Sequence, residues 1–127
     1  MHRKIIRVLI VDDEKMIRLN LQDFLEDEGF EVTTASSGEE GLTLLKTGNF
    51  NVAVVDMRLP GIDGNTFIQE AHQLVPTLQY IIHTGSTNYS IPPHVSELGV
   101  CRDFVFIKPV NDMSNISQAI KLLLQES

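Results

Sequence analysis

Five polar residues stand at the ends of short apolar runs, and their types are those that phosphoryl chemistry needs. They are Asp12, Asp13, Asp56, Thr84 and Lys108. The runs are Ile5–Val11, Val52–Val55, Tyr80–Ile82 and Val105–Ile107, and each is typical of a buried strand. Because the carboxyl ends of parallel strands meet at one edge of a sheet, we expect these side chains to lie together. Three carboxylates, a hydroxyl and an ammonium could hold a divalent cation and place a phosphoryl group on a carboxylate.

The aspartates each allow two interpretations. One member of the Asp12-Asp13 pair could simply cap a helix, where acidic residues favour the macrodipole. A pair of carboxylates after a strand exceeds what a cap requires, and Mg²⁺ prefers oxygen ligands, so we interpret the pair as a cation site. Asp56 could be a turn residue, but it could also attack a phosphoryl donor and carry an acyl phosphate. Two carboxylates about 4 Å apart repel by roughly 4 kcal/mol at an effective dielectric constant of about 20, and Mg²⁺ would remove that repulsion.

Lys108 and Thr84 complete the candidate site. Lys108 could be a surface lysine whose stem covers apolar groups. Because it would face three carboxylates, however, we interpret its ammonium as an ion-pair partner. When Asp56 is phosphorylated, the same ammonium could hold a phosphoryl oxygen. Thr84 is weak evidence alone, since threonine is common in strands. At a strand end, before Gly85, its hydroxyl could donate to a new phosphoryl oxygen.

Other residues give no competing site. The four histidines lack metal-ligand spacing, and His83 is interpreted as a satisfied strand histidine. Cys101 has no evident base partner and is expected to be inert. The sequence has no glycine-rich nucleotide-binding loop.

Composition narrows the class of protein. The chain has 127 residues and 43% hydrophobic residues, which predicts one domain over residues 1–127. The net charge of −7 and the lack of a Lys/Arg cluster argue against direct nucleic-acid binding. No apolar run approaches the roughly 18 residues of a membrane span, so no membrane association is expected. The single cysteine suits a reducing, cytoplasmic setting.

Apolar runs alternate with segments of helical period. Besides the four runs above, Glu31–Ala35 reads as a strand, and the chain therefore contains five βα units. This pattern predicts a doubly wound α/β fold, a parallel sheet with helices on both faces. Helices are predicted over Glu14–Asp27, from Ser37 to about Lys46, over Asn65–Leu74 and from about Asp112 to Gln125. The fourth helix should be short, since only Pro93–Leu98 could form it.

Taken together, the sequence resembles the receiver domain of two-component response regulators over essentially its whole length. The shared motifs are Val11-Asp12-Asp13-Glu14, the segment Val55–Gly64, Thr84-Gly85 and Lys108-Pro109. The resemblance implies a flavodoxin-like fold with strand order 2-1-3-4-5. It implies that the chain is a phosphorylation switch and not a metabolic enzyme, although it assists its own phosphorylation and dephosphorylation.

The resemblance also assigns roles to the residues. Asp56 would accept a phosphoryl group from a histidine kinase or a phosphotransfer protein, and Thr84 and Lys108 would sense it. Asp13, Asp56 and the backbone carbonyl of Arg58 would ligate Mg²⁺, with Asp12 acting mostly through water. The response would pass to a downstream output domain or protein. In this family the bond between Lys108 and Pro109 is usually cis.

Two departures from the family pattern leave alternatives open. Val105 stands where the family usually has a tyrosine or phenylalanine rotamer switch, and the segment from Thr84 to Lys108 is slightly long and interrupted by prolines where the fourth helix should stand. The route of the signal is therefore in question. A receiver-like interaction module that signals without phosphorylation is the first alternative. The second is an aspartyl-phosphate phosphatase, which would need a second carboxylate two residues after Asp56, where Arg58 stands.

Overall fold

A single parallel sheet of five strands organises the protein. The structure, a computed structural model, describes residues 5–124. The strands are β1 (Arg7–Val11), β2 (Glu31–Ala35), β3 (Val52–Val55), β4 (Gln79–Thr84) and β5 (Val105–Ile107). All pairings are parallel and the order is β2-β1-β3-β4-β5, which confirms the predicted doubly wound fold.

Five helices connect and flank the strands. They are α1 (Lys15–Asp27), α2 (Gly38–Thr47), α3 (Gly64–Leu74), α4 (Pro93–Ser96) and α5 (Ser114–Leu124), with a 3₁₀ turn over Arg102–Phe104. Of these helices, none is both long enough and apolar enough to cross a membrane. The fourth helix is short, as predicted, and it begins at Pro93.

The helix and strand ends differ slightly from prediction. The first strand begins at Arg7 instead of Ile5. The last helix begins at Ser114 because Asp112 accepts hydrogen bonds from both the backbone N–H and the hydroxyl of that serine. Its predicted end at Gln125 lies outside the described residues. The fourth helix ends at Ser96 instead of Leu98.

The start of α2 shows how a cap can shift by one residue. The Ser37 hydroxyl accepts from the Glu40 backbone N–H at 3.1 Å, as in the predicted capping box. The Glu40 carboxylate, however, accepts from the backbone N–H of Ser36 and not from that of Ser37. The cap therefore also fixes the loop that leaves β2, next to the carboxyl end of β1.

The sheet is covered on both faces, and alternate residues of each strand enter different cores. Leu9 and Val11 belong to one core, which includes Phe67 of α3. Val8 and Ile10 belong to the other, which includes residues of α1 and α5. A strand that is buried on both faces is apolar at most of its positions, which explains why β1 and β3 read as continuous apolar runs.

The strand β5 is less buried than the sequence indicated. Val105 and Phe106 are half-buried and Ile107 is 38% exposed, so the prediction of a buried strand is wrong here. The strand is short and lies at the sheet edge, where it pairs only with β4. Phe104 lies in the 3₁₀ turn directly before the strand, so the strand has the bounds that the sequence predicted.

Candidate functional site

The acidic residues of the sequence meet at the carboxyl edge of the sheet. Strands β1 and β3 are neighbours, with Val11 opposite Val55, so the residues that follow them are brought side by side. Carboxylate oxygens of Asp12, Asp13, Glu14 and Asp56 all lie within 4.8 Å of one another. We call these four residues the acidic cluster.

Asp12 belongs to the acidic cluster and also stabilises the local backbone. Its side chain is 2% exposed, and its Oδ1 accepts from the Glu14 backbone N–H at 2.9 Å. Arg18 of α1 donates from Nη1 to the Asp12 backbone carbonyl at 2.8 Å. The residue is thereby fixed at both its side chain and its backbone. Asp12 therefore fixes the turn that leads into α1 without capping a helix amide, while Asp13 remains exposed at the surface.

Lys108 contacts three of the four residues of the acidic cluster. Its Nζ is 2.9 Å from Asp12, 2.9 Å from Glu14 and 3.1 Å from Asp56, and its side chain is 8% exposed. Burial alone would lower the pKa of Lys108, but its hydrogen bonds to Asp12 and Glu14 outweigh this, so the pKa is raised. The side chain therefore carries a permanent positive charge among the carboxylates. The peptide bond to Pro109 is cis, as is usual in the family that the sequence resembles.

Asp56 is buried and held by two donors. Its Oδ1 accepts from the Arg58 backbone N–H at 3.3 Å, and its Oδ2 accepts from Lys108. Burial raises the pKa of Asp56, the hydrogen bond and charge of Lys108 oppose this rise, and the charge of Asp12 adds to it. The folded protein therefore keeps a carboxylate in a place that disfavours its charge. A carboxylate whose pKa is perturbed by burial and by a specific charged partner is a candidate functional group.

Glycine at position 64 allows α3 to begin directly against Asp56. A Cβ atom at Gly64 would lie 2.5 Å from the Asp56 carbonyl oxygen and 2.8 Å from the Met57 Cα. Its backbone N–H donates to the Met57 carbonyl at 3.1 Å. Any side chain at this position would push the loop after Asp56 away from the helix.

Thr84 is placed at the site's edge. It is fully buried, and its Oγ1 accepts from the Ser86 backbone N–H at 3.3 Å. Its backbone carbonyl accepts from the Lys108 backbone N–H at 2.8 Å, which ties the ends of β4 and β5 together. The threonine hydroxyl is thus engaged with the following loop and not with the acidic cluster.

Two observations were not anticipated from the sequence. The bond between Glu14 and Lys108 was not foreseen, although the position of Glu14 directly after the Asp12-Asp13 pair was a possible signal. The prediction of a satisfied His83 is wrong: its Nδ1 is buried and has no hydrogen-bond partner within residues 5–124. Burial lowers the pKa of His83 to about 4, so its imidazole is neutral at physiological pH.

Comparison with known proteins identifies the family. The model of the response regulator receiver domain matches residues 8–121. Sporulation initiation phosphotransferase F of Bacillus subtilis is 28% identical over 118 residues, 93% of each chain. Transcriptional regulatory protein GlrR of Escherichia coli is 33% identical over 129 aligned residues, which cover 100% of this chain but 28% of GlrR. The chain thus spans nearly all of one curated relative and less than a third of another.

Solved structures agree in fold. A CheY-like receiver domain from Methanospirillum hungatei has a TM-score of 0.81 and 32% identity, over 95% of this chain and 94% of that one. Response regulator TrrA of Thermotoga maritima, in complex with Mg²⁺-BeF, has a TM-score of 0.80 and 28% identity, over 94% and 100%. The chain therefore belongs to the receiver domain family of two-component response regulators, whose members are signalling switches.

Proposed function

We propose that this receiver is a phosphorylation switch in which Asp56 accepts a phosphoryl group from a phosphohistidine. The donor would be a sensor histidine kinase or a phosphotransfer protein. The observation that carries the proposal is the pairing of a buried Asp56 carboxylate with the Lys108 ammonium at 3.1 Å, inside the acidic cluster. An activated carboxylate beside a fixed cation is the arrangement that nucleophilic attack on phosphorus requires.

The transfer can be written from the residues of this chain. An Asp56 oxygen forms the new bond to phosphorus, while the bond from phosphorus to the imidazole nitrogen breaks and its electron pair stays on that nitrogen. The Lys108 ammonium donates to a phosphoryl oxygen and offsets its charge. The Thr84 hydroxyl would leave its bond with Ser86 and donate to another phosphoryl oxygen. Hydrolysis of the resulting acyl phosphate by water would reset the switch.

The acidic cluster suits Mg²⁺ by its chemistry. Its ligand atoms are all carboxylate oxygens, which a hard divalent cation prefers, and they lie within 4.8 Å of one another. Asp13 and Asp56 would be direct ligands together with the Arg58 backbone carbonyl, and Asp12 would act mostly through water. When bound, Mg²⁺ would neutralise the carboxylates and draw charge from the phosphoryl oxygens. Lys108 already neutralises part of the cluster, so Mg²⁺ binding without a phosphoryl group should be weak.

A phosphodonor protein could dock on a groove beside Lys108. This groove has a volume of about 410 Å³, and its lining includes the apolar residues Ile17, Pro109, Val110 and Met113. Apolar surface next to a reactive site is typical of a protein-binding site.

We also propose that residues 1–127 make up one receiver domain and that the protein is cytoplasmic. It would pass its signal to an output domain or partner protein without binding nucleic acid itself.

The signal should leave the site through the loop after Thr84. Val105 is short, stiff at χ1 and has no polar tip, so it cannot act as the aromatic switch of the family. Tyr89, in the middle of this loop, instead donates from its hydroxyl to Asn65 of α3 at 2.8 Å. A shift of Thr84 toward a phosphoryl group would break its bond with Ser86 and could reorder the loop as far as Tyr89.

The experiment that tests the proposal is phosphorylation by a small donor. With Mg²⁺ and acetyl phosphate, intact-mass analysis should show one added phosphoryl group on the wild type and none on Asp56→Asn. Asp23→Asn, which changes an exposed aspartate of α1, is the matched control and should be labelled like the wild type. Equal labelling of Asp56→Asn and the wild type would refute the assignment, and so would an unlabelled wild type.

A further inference from the structure

The Lys108 ammonium is saturated by carboxylates. An ammonium group has three N–H donors. Three carboxylates, from Asp12, Glu14 and Asp56, lie within 3.1 Å of its nitrogen. Glu14 and Asp56 accept hydrogen bonds from the ammonium and Asp12 is ion-paired with it, so the ammonium must release one carboxylate before it can donate to a phosphoryl oxygen of an incoming donor.

Burial decides which carboxylate is released. The side chains of Asp12 and Asp56 are 2% and 4% exposed, whereas that of Glu14 is 56% exposed. A buried carboxylate that loses its cation has no water to replace it, which is costly. An exposed carboxylate recovers its hydration, and for this reason exposed ion pairs contribute little stability. Glu14 is therefore the partner that Lys108 gives up most easily.

The local backbone does not depend on the Glu14 carboxylate. Glu14 is the N-cap residue of α1, with φ −86° and ψ 106°, but its side chain makes no capping hydrogen bond. Its backbone N–H is instead held by Asp12. The carboxylate can thus move away from Lys108 while the helix start stays fixed.

We infer that Glu14 is a placeholder that occupies the third donor of Lys108 until the incoming phosphoryl group displaces it. Glu14 thereby sets how readily phosphodonors react. It is a positioning residue, since it acts through Lys108 and does not touch the reacting atoms. This inference rests on the proposed function of Asp56 and Lys108.

The test compares Glu14→Ala with the wild type at saturating Mg²⁺. The full chain is phosphorylated with acetyl phosphate and, separately, with phosphoramidate, which carries less negative charge, and the rate constants are measured by intact-mass analysis. We expect Glu14→Ala to react about 2- to 5-fold faster with both donors, the factor that matches the loss of one exposed ion pair. Glu14→Gln, which keeps a neutral acceptor, should fall between the two. Glu70→Ala, an exposed glutamate of α3, removes the same charge elsewhere and should leave the rates unchanged.

A Mg²⁺ titration of the same variants, monitored through the melting temperature, distinguishes the placeholder role of Glu14 from a role as a metal ligand. The placeholder role requires Mg²⁺ affinity to stay within about 2-fold of the wild type, since a direct ligand typically contributes far more. Slower phosphorylation together with weakened Mg²⁺ binding would make Glu14 a metal ligand and overturn the inference. Two further results would overturn the inference. One is a faster reaction with acetyl phosphate alone, which would indicate simple repulsion of the more charged donor. The other is an equal rate for all variants. A wild type that gains no phosphoryl group would refute the proposed function itself.

Discussion

Replacement of Lys108 by methionine should destabilise the protein strongly, because it leaves two buried carboxylates without their cation. Lys108 lies 2.9 Å from Asp12 and 3.1 Å from Asp56, whose side chains are only 2% and 4% exposed. Removal of one partner from a buried ion pair typically costs about 3–5 kcal/mol. The exposed pair with Glu14 should add less than about 1 kcal/mol. We therefore expect Lys108→Met to lower the free energy of unfolding by about 3–5 kcal/mol, a large share of the roughly 5–15 kcal/mol typical of domains.

The loss should grow with pH. Burial raises the pKa of Asp56, and in the wild type Lys108 opposes this rise. Without Lys108 the pKa of Asp56 in the folded state should rise further above its value in the unfolded chain. At a pH below the pKa of Asp56 in the unfolded chain, Asp56 is protonated in both the folded and the unfolded state. Its ionisation then does not change the free energy of unfolding. As pH rises from the unfolded pKa through the folded pKa, the unfolded chain loses its proton first, so the folded state is progressively destabilised.

Urea unfolding followed by far-UV circular dichroism measures this effect, with EDTA present to remove divalent cations. The difference between Lys108→Met and the wild type should be larger at about pH 7.5 than at about pH 5. Lys46→Met, which removes an exposed lysine of α2, is the control and should cost less than about 1 kcal/mol at either pH. A Lys108→Met deficit below about 1 kcal/mol, or one that is equal at both pH values, would refute our account of the buried ion pairs.

Two further predictions concern the metal and the switch. Mg²⁺ should raise the melting temperature of the wild type in the absence of phosphate, because it binds the clustered carboxylates of the folded state only. Asp13→Ala should abolish that rise, and a mutant that keeps the full Mg²⁺ response would show that Asp13 is not a ligand. Hydrogen exchange with and without beryllofluoride, a phosphoryl mimic, should change most over residues 85–96, because the Thr84–Ser86 bond must break. If the change is confined to β5 and α5, the signal does not use this loop.

The sequence by itself determined the architecture and the neighbourhood of the site. Short continuous apolar runs are typical of strands covered on both faces, and the helical segments that alternate with them favour parallel connections. Residues at the ends of such strands must then share one edge of the sheet. This is why Asp12, Asp56, Thr84 and Lys108 could be selected from their positions alone, and why the resemblance to receiver domains agreed with the fold.

Only the tertiary structure decided which partner each polar group has. A sequence pattern shows which face a side chain occupies, but hydrogen bonds depend on register, rotamer and packing across the sheet. The bond between Lys108 and Glu14 joins residues 94 positions apart, and no local spacing indicates it. The unpartnered Nδ1 of His83 and the half-buried edge strand β5 were likewise decided by packing. The raised pKa of Asp56 arises in the same way, because desolvation is the sum of all the atoms that surround a group in the folded protein.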